Sequence, residues 1–208
     1  MSHGVHAVQH EVEHQIKHEE GHHPEQGHDR QNKRIALVIS VLALILAFSE
    51  TLGKSAQTAA LNYQIEASNL WNFFQAKNIR RTAVLTAAEA LKIDLATTSD
   101  EARKPALAKQ IDDWQKTAAR YRSEPDVREG TIELAERAKE QERNRDTALA
   151  KYHHYEVASA ALQIGIVLAS AAVITGMMLL VWFAGLLGGL GLAFMGIGLF
   201  APHAVHLF

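Results

Sequence analysis

The sequence predicts an all-α membrane protein: three transmembrane helices, with a long antiparallel, coiled-coil-like helical hairpin outside the membrane between the first and second. Two observations predict it. First, charge is segregated: of the 21 Lys and Arg, all but Lys17, Arg30, Lys33 and Arg34 lie between Lys54 and Lys151, and Val157 to Ala201 holds no Asp, Glu, Lys or Arg. Second, the charged stretch is written in helix formers. Lys54 to Leu95 contains neither Pro nor Gly, and Ala, Leu, Gln and Glu dominate it.

Residues 1–34 form a His- and Glu-rich leader. His6, His10, His14, His18 and His22 recur every four residues, so on a helix they make one stripe of neighbouring imidazoles. Imidazole suits Zn, Ni and Cu, and Glu11, Glu13, Glu19 and Glu20 add oxygen donors, which makes the stripe a candidate metal site. Val5, Val8, Val12 and Ile16 interleave with the His. The leader therefore also reads as an amphipathic helix on the membrane or on a protein partner, or as a flexible tail. Its charge would rise as pH falls through the His range. No cofactor is expected elsewhere. No cleavable signal peptide is visible, so the first span is expected to act as its own insertion signal.

The first span is 35–53. Ile35 to Phe48 is apolar except for Ser40, and Glu50 is its one ionisable residue. Its length of about 18 residues is near the lower limit for a hydrocarbon core of roughly 30 Å. A buried helix of a water-soluble bundle is the lesser reading.

Residues 54–156 form the stalk, with breaks near 97–105 and 124–130. Thr97-Thr98-Ser99-Asp100 offers caps for the next helix, and Pro105 suits its first turn. Glu124-Pro125-Asp126 is the second break, and the last helix starts near Thr131 and runs on into the second span. The outgoing arm reaches about 60–65 Å at helical rise and the two returning helices together roughly 68 Å, which predicts the hairpin. Leu70, Trp71, Phe73 and Phe74 share one broad face of the outgoing arm. They are expected to pack on the returning limb or a neighbouring subunit, with a groove for an apolar ligand as the lesser reading. Between Glu133 and Lys151 the chain is highly charged, and Ala135, Ala138, Ala148 and Leu149 form a thin apolar stripe, narrow enough for a coiled-coil seam.

His153-His154-Tyr155-Glu156 stands where the stalk enters the second span, and Glu50 where the first span leaves. The two sites predict an interfacial contact between Glu50 and His154, against ordinary anchoring by Tyr and polar side chains.

One helix from Val157 to Ala201 would be roughly 67 Å long, over twice the core thickness. It must fold back, best at Thr175-Gly176, giving spans 157–174 and 177–201 and a short tail, 202–208. Ala161, Gly165 and Ala169, and Gly185, Gly189 and Ala193, recur at four-residue spacing. Gly165, Gly185 and Gly189 are therefore expected to let backbones approach, within the hairpin or between subunits.

Several functions are argued against. Net charge is −2 and the charged stretch mixes both signs, so no basic stripe is available for nucleic acid. Cys is absent, which excludes thiolate chemistry. No phosphate-binding loop, dinucleotide fingerprint, GxSxG elbow or HExxH motif occurs, so no enzyme activity is expected. No charge lies deep in a span, where ion-coupled transporters keep one. If the chain forms a pore, Gln163 and Ser170 are the best lining candidates, with Ser40 and Thr175 behind them. Arg30, Lys33 and Arg34 beside the first span place the N-terminus in the cytoplasm. Arg143, Arg145 and Lys151 pull the other way, but the rule discounts long loops.

Ala47-Phe48-Ser49-Glu50-Thr51-Leu52-Gly53, the stretch Glu66 to Arg81 with its Leu70-Trp71 and Gln75-Ala76-Lys77, and Tyr155-Glu156 before the paired C-terminal spans carry a resemblance. Together with the His- and Glu-rich leader, these features resemble a bacterial membrane-protein family known as domain of unknown function four-three-three-seven. The resemblance covers most of the chain. It implies a multi-pass protein of the bacterial inner membrane and carries over no activity or catalytic residue. The expected function is a non-enzymatic, homo-oligomeric scaffold or accessory subunit. Its expected partners are membrane lipid and its own copies, with another protein as a further candidate. An oligomeric pore and a metal-binding role for the leader are the alternatives.

Overall fold

The computed structural model describes residues 25–205, and the histidine stripe His6, His10, His14, His18 and His22 lies outside them. Four helices account for most of the described chain, α1 (Glu25–Thr97), α2 (Lys104–Arg122), α3 (Thr131–Thr175) and α4 (Met178–Phe200). Among the described residues there is no strand. α1, α3 and α4 are each long and apolar enough to cross a membrane.

The helix ends have local causes. At Thr97 the hydroxyl turns back onto the Ile93 carbonyl, 2.9 Å away. The Thr98–Asp100 segment does not cap α2; the N-cap is Arg103, without a side-chain hydrogen bond. Asp100 instead accepts the Ala102 N–H at 3.1 Å, a local Asx-type turn that occupies the carboxylate before the helix starts. Pro105 follows in the first turn, where its missing N–H is harmless. Between α3 and α4, Gly176 adopts φ 70°, and its N–H closes onto Ala172 O at 2.9 Å, a left-handed helix stop.

The loop into α3 is fastened by Glu133 in the first helical turn. Its carboxylate accepts the Ser123 hydroxyl and, at 3.3 Å, the Glu124 N–H. The Ser123 hydroxyl, helped by backbone N–H groups, holds the Glu133 carboxyl below its ordinary value. Thr131 Oγ1 donates to Arg122 O at 3.2 Å. Gly130 is required there, since a Cβ would stand 2.6 Å from both Glu124 N and Ser123 Cα.

The chain forms two compact units. One comprises Thr51–Tyr155 with the described residues from Gly196 onward. On its part of α1, Ala56, Ala60, Ala67, Leu70, Lys77 and Ala88 are buried, with Tyr63 and Phe74 half-buried between them. From Ala56 to Lys77 the steps alternate four and three residues, the spacing that keeps one face of a helix against a neighbour. Across from them, Leu70 packs with Leu134 and Ala138 of α3. Along this pair Gln64 of α1 meets Arg145 of α3, and Trp71 meets Glu142.

The other unit comprises the described residues up to Glu50 with Glu156–Met195. One buried cluster sets Ala169, Ala172 and Ala184 around Ile35, and Leu42 and Leu162 are buried elsewhere in the unit. Many of its large apolar side chains point outward: Leu37 is 65% exposed, Val167 65% and Trp182 78%. That much exposed large apolar surface departs from a water-soluble domain, where most large apolar side chains go inside.

Candidate functional site

The most chemically distinctive group is Lys77, which sequence reasoning did not single out. It occupies a seam position seven residues after Leu70, and only 8% of its side chain is exposed. Its ammonium lies 3.2 Å from Glu124 and 3.7 Å from Glu129. It also stands 5.5 Å over the Phe73 ring and 5.6 Å over the Tyr121 ring. Two carboxylates and two aromatic faces answer the desolvated cation, and each contact strengthens as water leaves. Arg120 adds a looser contact to Glu124 at 3.8 Å. The arrangement pins the Glu124–Gly130 loop onto α1. The seam spacing that marks Leu70 and Phe74 also reaches Lys77, and was the available signal.

The predicted aromatic residues split between two tasks. Trp71 and Phe74 pack edge to face, 5.4 Å between centroids, against the Leu70, Leu134 and Ala138 cluster. Trp71 Nε1 donates to Glu142 Oε1 at 2.9 Å. Phe73 faces Lys77 instead and is 37% exposed.

In the apolar unit, Gly165 makes a close approach: a Cβ there would meet Ala184 O at 3.2 Å. A Cβ at Gly185 or Gly189 would meet nothing within 4 Å, so both face open space. The close contacts of α4 fall at Gly188, where a Cβ would meet Leu42, and at Gly191, where it would meet Leu162 at 2.8 Å. These lie on the neighbouring face of the helix, about 100° of rotation per residue away from the predicted stripe.

Polar groups in this unit find one another. Ser159 Oγ donates to Ser49 Oγ at 3.1 Å, and Gln163 Nε2 donates to Glu50 Oε1 at 3.2 Å. Ser170, the other pore-lining candidate, spends its hydroxyl on Ile166 O at 2.8 Å. Gln163 and Ser170 are both exposed. His154 belongs to the other unit, where it is buried and its Nε2 stands 3.0 Å from Pro202 O.

Among the described residues no group of three or more His, Asp or Glu is arranged to hold a metal ion. The comparison with protein families matches Domain of unknown function (DUF4337) over residues 31–201. No protein of curated function and no solved structure matches the chain.

Proposed function

The chain belongs to the DUF4337 family, and on that premise we propose that it is a non-enzymatic, homo-oligomeric scaffold or accessory subunit of the bacterial inner membrane. In this reading α1, α3 and α4 provide three spans, with the N-terminus in the cytoplasm. Residues 54–156 form an antiparallel, coiled-coil-like hairpin outside the bilayer. The observation that carries the reading is the apolar unit's large exposed apolar surface, with Leu37, Val167 and Trp182 turned outward and alanines prominent among the buried residues. Helices in lipid gain contact through small residues and leave Leu, Val and Trp to the acyl chains. The stalk reading is supported by the alternating three- and four-residue seam and by Lys77, a buried charge of the kind that fixes register between helices.

Light scattering of the full chain purified in detergent tests the assembly. A single defined multimer is the expected result, and a monomer at all concentrations would overturn the oligomeric reading. A second reading, an oligomeric pore, draws on the outward-facing Gln163–Glu50 pair beside an exposed Ser170. Recording in planar bilayers separates the two. Conductance abolished by Gln163→Leu would favour the pore, and silence the scaffold.

A further inference from the structure

Within the stalk unit, α1, α3 and the end of α4 enclose a groove of about 350 Å³ with two unlike walls. Leu52, Ala56 and Leu199 supply apolar surface. Tyr63, Asn144 and Lys151 supply a phenol, an amide and an ammonium. No lining residue is acidic. Among the described residues these three polar side chains make no hydrogen bond or ion pair within the chain, unlike Thr147 beside them, which donates to Arg143 O at 3.0 Å. The groove therefore presents one positive charge and several uncommitted donors above an apolar floor. In sequence, Leu52 closes the apolar run of α1 and Leu199 that of α4, so the floor belongs to the ends of the apolar segments and the donors to the charged stretch.

We propose that this groove binds an anionic phospholipid, its phosphate held by Lys151, Tyr63 and Asn144 and the start of an acyl chain laid along Leu52 and Leu199. The inference rests on the membrane reading above. Charge selects the headgroup: a lone cation without a carboxylate beside it favours an anion, and phosphate oxygens accept from ammonium, phenol and amide alike. The apolar wall selects lipid over free phosphate, because a phosphate ion leaves that surface wet while an acyl chain covers it. The volume suits a headgroup with its first methylenes, since ligand clefts begin at about 300 Å³.

Native mass spectrometry of the full-length protein tests this with dioleoyl phosphatidylglycerol, dioleoyl phosphatidylcholine and inorganic phosphate as probes. The expected result is saturable binding of phosphatidylglycerol, about tenfold weaker in Lys151→Gln and weakened in Tyr63→Phe, with Arg143→Gln, outside the groove, unchanged. Tyr63→Phe keeps the ring and the fold, so it reads the hydroxyl even if the lysine variant is unstable. Equal retention of the two lipids, or unchanged binding in both groove variants, would overturn the assignment. Binding of inorganic phosphate as tight as that of the lipid would overturn the acyl-chain half and with it the proposal. Flotation of the protein with vesicles after an alkaline wash separates the premise from the inference. Release from the vesicles overturns both the membrane reading and the groove, whereas retention together with variant-insensitive lipid binding overturns the groove alone.

Discussion

Lys77 Nζ lies 3.2 Å from Glu124 Oε2, and the lysine end of this pair is almost wholly out of water. Removing one partner of a buried pair leaves the other charge stranded, while replacing the charge with an apolar side chain of similar volume restores packing. Glu124 is 27% exposed, which softens the penalty. Lys77→Ala is expected to lose about 2–3 kcal/mol, and Lys77→Met less than about 1 kcal/mol. Thermal unfolding of both variants in detergent checks this. Equal destabilisation by Ala and Met would mean that the charge itself, and not the filled volume, holds the seam.

Gly130 is fixed by space. A Cβ would press on Glu133 Oε2 and stand 2.6 Å from Glu124 N, and the second atom is backbone. The loop cannot yield without releasing the Glu133 bonds that fasten it. Gly130→Ala is expected to cost about 2–3 kcal/mol. Limited proteolysis should then cut first between Ser123 and Gly130. A variant as resistant as the parent would show that the loop has room to shift.

Glu133 sets a pH dependence. Its carboxyl is held below the ordinary value, chiefly by the Ser123 hydroxyl, so the folded state favours the ionised form. Stabilisation from this cause is fully present above the unfolded value near 4.5 and is lost as pH falls through the lower folded value. The melting temperature of the parent should exceed that of Glu133→Gln at neutral pH, and the gap should narrow as pH drops below 4.5. A gap that stays constant across that window would assign the effect to hydrogen-bond geometry alone.

How far the fold can be read from sequence depends on whether its cause is local. The all-helical class and the three apolar helices follow from charge segregation and from the helix-forming composition of Lys54 to Leu95, which act within one segment at a time. The family resemblance rested on stretches such as Glu66 to Arg81, which lie inside the matched residues 31–201. Lys77 was hidden because its burial is decided by Tyr121, Glu124 and Glu129, all more than forty positions away. The cap of α2 was misread because Asp100 bonds two residues ahead in place of capping. In α4 the glycines are too many for spacing to choose a face; Leu42 and Leu162, on two other helices, select Gly188 and Gly191.

That selection leaves Gly185 and Gly189 on an outer face, which separates packing within the chain from packing between copies. Gly191→Ala should strain the contact of α4 with α3, because the new Cβ meets Leu162 at 2.8 Å and Ala158 O at 3.2 Å. The expected loss is about 1–3 kcal/mol, read as a lower melting temperature in detergent. Gly185→Leu and Gly189→Leu enter open space, so the chain's own packing should hold. If a second copy sits on this small-residue face, as membrane helices favour, the same two variants should lower the assembly mass by light scattering while leaving the melting temperature of the monomer unit nearly unchanged. An unaltered mass would assign the Gly185–Gly189 face to lipid and move the oligomer contact to the outward Glu50–Gln163 face, where Gln163→Leu is the variant to weigh next.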